Sequence, residues 1–166
     1  MIELKQATPG ETLAFHDIYV ATFTHDKLAS GEYQSEDDAI AYARKIVADP
    51  ASTINCEQYY WIAISVEGVP EPVGLIWLLM DQTAKGLKSW VEQLFIKPEY
   101  RRNGYAKEAM AALEDWVSSL GSSYIGLGVL VDNHAARGLY ASLGYKVVDY
   151  SPPNGLHKLM EKSLAL

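Results

Sequence analysis

An apolar run in the middle of the chain is the feature that most restricts the fold. Residues 73–80 read VGLIWLLM, with no polar residue at alternate positions, and the turn sequence EGVPEP precedes them. A strand of this kind is covered on both faces, because apolar residues replace the alternation only when neither face meets water. Residues 59–66, before the turn, predict its antiparallel hairpin partner. We therefore expect a sheet with helices on both sides.

Periodicity and helix-start signals along the whole chain predict seven strands and four helices. Thr8-Pro9-Gly10-Glu11 is typical of a capping box with proline in the first turn, and Ser35 followed by acidic residues indicates a second helix start. The predicted strands are residues 1–7, 59–66, 73–80, 90–96, 123–131, 145–150 and 156–164, and the predicted helices are residues 8–24, 35–49, 104–120 and 133–143.

The length of 166 residues suits one full hydrophobic core rather than two. The fold class predicted is α/β, a single domain over residues 1–166. Its sheet is mixed, mostly antiparallel and twisted, with about seven strands, and about four helices lie on both faces.

Composition excludes several classes of protein. A formal net charge of −7 argues against a nucleic-acid binder, whose phosphate contacts require a basic surface. The sequence has no run of 18 apolar residues and no signal-peptide pattern at its start, so we expect a cytoplasmic protein without a membrane partner. The single Cys56 forms no internal disulfide, and the four histidines lack metal-ligand spacing, so no metal is expected.

The turn after the strand at 90–96 predicts a phosphate site. Main-chain N–H groups of a turn that opens into a helix point along the helix dipole toward an anion. Lys97, Arg101, Arg102 and Lys107 gather basic charge there on an acidic protein, although a solvated surface is the competing interpretation. A Walker loop has no match, and Gly126-Leu127-Gly128 lies inside a predicted strand without the third glycine of a dinucleotide fingerprint.

Two segments together indicate a family. Arg101-Arg102-Asn103-Gly104-Tyr105-Ala106 fits the pattern Arg or Gln, two residues, Gly, one residue, Gly or Ala. Residues 133–145, NHAARGLYASLGY, follow at the matching distance. In order and spacing they resemble the two coenzyme motifs of the GCN5-related N-acetyltransferases, and the element order agrees across nearly the whole chain. The resemblance implies acetyl-CoA as the acyl-donor cosubstrate.

The resemblance also implies which residues contact the coenzyme. Gly104 lacks a Cβ and permits close approach to a diphosphate, while main-chain groups of the preceding strand hold the pantetheine arm and the thioester. Asn133 is equally well explained as a helix N-cap. The predicted coenzyme-binding residues are Leu94, Phe95, Ile96, Arg101, Arg102, Asn103, Gly104, Tyr105, Ala106, Lys107, Asn133 and Tyr140.

Two residues are predicted to be catalytic. Tyr140 is the candidate general acid for the leaving thiolate, with a core position as the alternative. Glu92 is the candidate base, directly or through a water, because alternation would place it on one face with Leu94 and Ile96. An exposed carboxylate or an ion pair is its alternative. Some relatives carry a carboxylate on the strand before the motif asparagine, where this chain has Gly126-Leu127-Gly128.

The reaction expected is direct transfer of the acetyl group to a primary amine of a small molecule or peptide, since no cysteine stands in either motif. The acidic residues Glu32, Glu36, Asp37 and Asp38 favour a cationic acceptor, or form only a helix start. A non-catalytic acyl-CoA-binding module of the same fold is the alternative function. The oligomeric state stays open, a homodimer included.

Overall fold

The structure, a computed structural model, describes residues 1–56, 58–151 and 157–164. Two compact units divide the chain, Ala7–Gln58 and Met1–Gln6 with Tyr59–Leu166. The elements in chain order are β1 (Ile2–Gln6), α1 (Pro9–Ala29), α2 (Glu36–Ala48), α3 (Pro50–Thr53), β2 (Gln58–Val66), β3 (Gly74–Thr83), β4 (Gly86–Ile96), a 3₁₀ turn (Pro98–Tyr100), α4 (Tyr105–Ser119), β5 (Tyr124–Leu130), α5 (His134–Ser142), β6 (Lys146–Ser151) and β7 (His157–Ser163).

The unit Ala7–Gln58 is helical. α1 begins with the predicted capping box, in which Thr8 Oγ1 accepts from the Glu11 N–H at 3.3 Å and the Thr8 N–H donates to Glu11 Oε2 at 2.9 Å. α1 continues past its predicted end near residue 24 to Ala29, because no glycine or proline interrupts it before Gly31.

α2 ends at Ala48, within one residue of its predicted end, but a short helix that was not predicted, α3, follows it directly. Pro50 occupies the first turn of the short α3, where its missing N–H leaves no helical bond unmade, and Asp49 Oδ1 accepts from the Ser52 N–H at 3.2 Å. The described residues therefore form five α-helices rather than four.

The other unit holds one seven-stranded sheet in the order β1-β2-β3-β4-β5-β7-β6. β4 and β5 pair in parallel, while β1–β2, β3–β4, β5–β7 and β6–β7 pair antiparallel. The predicted mixed, mostly antiparallel sheet of seven strands is therefore confirmed. The first residue of the predicted strand at 156–164 lies outside the described residues.

The central strand β3 is buried on both faces, as its apolar run predicted: Leu75, Trp77 and Leu79 point to one face and Ile76 and Leu78 to the other, all at most 7% exposed. The face of Ile76 and Leu78 shares a core with α4, and we call it the α4 face. That core includes Val91 and Ile96 of β4 and Ala109, Met110, Leu113 and Val117 of α4. Leu120, which follows the last residue of α4, is 44% exposed and lies outside this core.

Candidate active site

A gap opens in the sheet between β4 and β5. Their parallel pairing runs from Lys88 beside Tyr124 to Val91 beside Leu127 and ends there. Beyond this point β4 continues to pair with β3, and β5 with β7. The two strands therefore diverge after Val91 and Leu127, and the main-chain groups of β4 that point away from β3 after Val91 face the gap.

A β-bulge lies where the gap begins. Trp77 of β3 pairs with Gln93 and Leu78 pairs with Val91, so Glu92 is an extra residue in β4. A bulge of this kind breaks the alternation of side chains along the strand. Consequently, positions on β4 before and after Glu92 do not follow a single period of two.

The bulge places the Glu92 carboxylate on the face opposite the α4 face. Trp90 pairs with Leu79 and therefore lies on that opposite face, which we call the Trp90 face. Trp90 Nε1 donates to Glu92 Oε2 at 3.2 Å, so the carboxylate is on the same side. Leu94 and Ile96 belong to the α4 face. The prediction that Glu92 shares a face with them is wrong, because it assumed unbroken alternation.

Two glycines of β5 make room for the Trp90 ring. A Cβ on Gly126 would lie 3.1 Å from Trp90 Cε3, and one on Gly128 would lie 3.8 Å from Trp90 Cζ2. Lys88 Nζ lies 4.9 Å from the indole centroid and 3.2 Å from Glu161 Oε1. The sequence contained a signal for this packing of the Trp90 ring on β5, since glycine inside a strand often marks the close approach of another group.

The turn between β4 and α4 has the geometry of an anion site. Arg102 has φ 68° and Gly104 has φ 78°, both left-handed, and a non-glycine residue in that region is uncommon. No side chain caps α4 at Gly104, and a Cβ built on Gly104 would meet nothing within 4 Å. The first N–H groups of α4, including those of Tyr105, Ala106 and Lys107, therefore have neither an acceptor inside the helix nor a side-chain cap.

Other side chains of the turn support it. Arg101 Nε donates to the Ile96 carbonyl at 2.8 Å, and its guanidinium lies 5.4 Å from the centroid of the Phe95 ring. Asn103 Nδ2 donates to the carbonyls of Tyr100 at 3.0 Å and Arg101 at 3.1 Å. These two predicted coenzyme contacts thus have structural partners of their own, whereas the side chains of Arg102 and Lys107 are exposed.

The second motif forms α5. Asn133 is the N-cap, with Oδ1 accepting from the Ala136 N–H at 3.2 Å. Tyr140 is 8% exposed and belongs to the core of the α4 face, with its ring 5.8 Å from that of Tyr145. Burial raises the pKa of Tyr140 to about 12. Asn133 is therefore a helix N-cap and Tyr140 a core residue, the alternative structural roles that the sequence had indicated. Tyr140 keeps its proton at neutral pH.

The comparisons with known proteins identify the family. The model of the acetyltransferase (GNAT) family matches residues 11–145, which include the turn at Gly104 and all of the second motif at 133–145. The chain belongs to the GNAT family.

Individual relatives agree with this assignment. The uncharacterized N-acetyltransferase YycN of Bacillus subtilis is 26% identical over 148 residues, which cover 86% of this chain and 92% of YycN. Its crystal structure superposes with a TM-score of 0.81 at 20% identity, over 93% of this chain and 98% of that chain.

Two further GNAT-like structures contain coenzyme A. The spermidine N-acetyltransferase of Vibrio cholerae in complex with CoA and spermine has a TM-score of 0.64 at 18% identity, over 98% of this chain and 95% of that chain. The NatC complex bound to Gag peptide and CoA has a TM-score of 0.63 at 19% identity, over 99% and 98%. At these identities the likeness establishes the GNAT fold.

The GNAT chain shows neither a metal centre nor a membrane span in the part that the structure describes. Across residues 1–56, 58–151 and 157–164, no three His, Cys, Asp or Glu residues come together as metal ligands. No helix in the same ranges combines the length and the hydropathy needed to cross a bilayer.

Proposed function

We propose that the protein transfers an acetyl group directly from acetyl-CoA to a primary amine of a small molecule or peptide. The end of β4–β5 pairing at Val91 and Leu127 is the observation that carries this proposal. It leaves main-chain groups of β4 free of β5. These groups lie between the N-terminus of α4, which has no side-chain cap and suits a diphosphate, and the Glu92 carboxylate, which suits an amine.

The turn and the end of β4 bind the donor in this proposal. Open space at Gly104 lets a diphosphate approach the N–H groups from Arg102 to Lys107, and the exposed Arg102 and Lys107 side chains add positive charge. Main-chain groups of Leu94, Phe95 and Ile96 hold the pantetheine arm, and an N–H aimed at the thioester oxygen stabilises negative charge that develops there. Acetyl-CoA supplies the activated acyl thioester.

Glu92 accepts a proton from the acceptor in this proposal. An alkyl ammonium has a pKa near 10, so at neutral pH it must lose a proton before its nitrogen can attack. The hydrogen bond from Trp90 Nε1 holds the Glu92 carboxylate on the Trp90 face. The acceptor amine therefore approaches from that face, and its proton passes to Glu92 directly or through one water.

Tyr140 returns a proton to the leaving thiolate. The hydroxyl is protonated at neutral pH, which an acid requires, although burial raises its pKa to about 12 and so weakens it as an acid. It lies in the core of the α4 face, whereas Glu92 lies on the Trp90 face, so acid and base flank the gap from opposite sides of the sheet. Cys56 is buried and its Sγ bonds the Gln58 carbonyl at 3.0 Å, which supports transfer without a covalent cysteine intermediate.

An amine panel tests the proposal. CoA release from acetyl-CoA is measured with polyamines, amino acid amides and short peptides, alongside thermal stabilisation by acetyl-CoA alone. We expect stabilisation and turnover on at least one amine. Stabilisation without turnover on any amine would favour a non-catalytic acyl-CoA-binding module, and absence of stabilisation would contradict both functions.

A further inference from the structure

A buried amide on β4 has no hydrogen-bond partner among the described residues. Gln93 is only 7% exposed, and neither its Nε2 nor its Oε1 has a hydrogen-bond partner in the part of the chain that the structure describes. A buried polar group without a hydrogen bond destabilises the folded protein, because it has lost its bonds to water. Such groups are rare in native proteins, so each one requires an explanation.

The bulge determines where this amide lies. Gln93 pairs with Trp77, and Trp90 pairs with Leu79, two residues further along β3. Trp77 and Leu79 share a face because side chains on a regular strand repeat every two residues. Gln93 therefore lies on the Trp90 face with the Glu92 carboxylate. It also lies two residues beyond Val91, the last residue of β4 that pairs with β5, beside the gap.

We propose that Gln93 is a specificity-determining residue that binds an amide group of the acceptor. This inference rests on the proposed acetyl transfer and narrows its acceptor to an amine that carries an amide close to its nitrogen, as a peptide N-terminus does. Glu92, the neighbouring residue, takes the amine, and Gln93 takes the amide that follows it.

The chemistry of the two Gln93 atoms favours this class. Oε1 accepts and Nε2 donates, so both are satisfied only by a ligand that offers a donor and an acceptor. A peptide N-terminus carries a C=O and an N–H within two atoms of its α-carbon. A polyamine in its ammonium form offers donors alone and leaves the buried Nε2 without a partner. A site built to bond a polar group discriminates strongly against ligands that lack it.

The test compares acceptors and variants. Trialanine amide, butylamine and spermidine are assayed by CoA release with the wild type, Gln93→Met and Gln93→Glu. Methionine preserves the length of the side chain without an amide, and glutamate retains acceptors but loses the donor. We expect Gln93→Met to lower kcat/KM for trialanine amide roughly ten- to a hundredfold, and by at least tenfold more than for butylamine. The kcat/KM of Gln93→Glu for trialanine amide should lie between the values of the wild type and Gln93→Met.

Two measurements separate this role from a structural one. Gln93→Met removes no bond that the protein makes, so its unfolding midpoint should equal or exceed that of the wild type, and stabilisation by acetyl-CoA should persist. Equal losses on trialanine amide and butylamine, unchanged turnover on both, or a clearly lower midpoint would overturn the inference.

A further readout does not depend on turnover. The side-chain NH₂ signals of Gln93 are identified by their absence from the NMR spectrum of Gln93→Met. They should shift when trialanine amide is added to the CoA-bound wild type, and should not shift with butylamine. If no amine is turned over, the proposed function fails, and these signals still decide the inference: no shift with trialanine amide contradicts it.

Discussion

The burial of Tyr140 predicts how stability changes at alkaline pH. Tyrosine has a pKa near 10 in an unfolded chain, and burial raises the pKa of Tyr140 to about 12 in the folded protein. The contribution of protonated Tyr140 to the stability of the folded protein is fully present below pH 10. It is lost as pH rises toward 12, because the folded state then binds more protons than the unfolded state. Between pH 8 and pH 11 the raised pKa of Tyr140 therefore lowers the free energy of unfolding by about 1.4 kcal/mol, the energy that corresponds to one pKa unit.

Urea unfolding of the wild type and Tyr140→Phe at pH 8 and pH 11 measures this quantity. The wild type should lose about 1.4 kcal/mol more than the variant over this interval, since phenylalanine does not titrate. Tyr59→Phe, which alters a ring that is 39% exposed, is the control and should parallel the wild type. Parallel losses for the wild type and Tyr140→Phe would show that the hydroxyl ionises as it does in water, and the burial argument would fail. The same variant should lower turnover at neutral pH while acetyl-CoA affinity stays nearly intact.

Three other variants test the proposed donor site, the packing of the Trp90 ring on β5 and the start of α1. Gly104→Glu should abolish stabilisation by acetyl-CoA, whereas Gly68→Glu, at a glycine with a similar φ of 82° and open space around its Cβ position, should not; equal loss in both would contradict the site. Gly126→Val should displace the Trp90 ring and lower kcat without lowering acetyl-CoA affinity, and an unchanged kcat would refute the positioning of the base. Thr8→Ala should lower the free energy of unfolding by about 1 kcal/mol, and no change in urea unfolding would contradict the capping box.

Local chemistry made much of the fold predictable. The capping box at Thr8 depends on residues three apart, and the turn at Gly104 depends on a short motif, so both could be read from neighbouring residues. The apolar run of β3 likewise predicted burial on both faces. These features depend on sequence separations of a few residues, the range over which periodicity and turn chemistry act.

Features that depend on pairing between distant strands were not predictable. The bulge at Glu92 depends on the register of β4 against β3, and nothing in the residues 90–96 alone marks it. The bond from Trp90 to Glu92 and the unpartnered amide of Gln93 both follow from that register. The predicted coenzyme-binding and catalytic residues remain predictions, which the variants above test.

The bulge responds differently to substitution and to deletion of its residues. Its extra residue lies between a segment of β4 that is paired on both sides and a segment that faces the gap, and the ladder with β3 resumes at Gln93. Substitutions at residues 92 and 93 therefore leave the register of Leu94 and Ile96 unchanged. Under the proposed function, selection can alter acceptor preference there while the donor half of the site is inherited intact. Deletion of one residue from the bulge would instead force β4 to slip or to flatten.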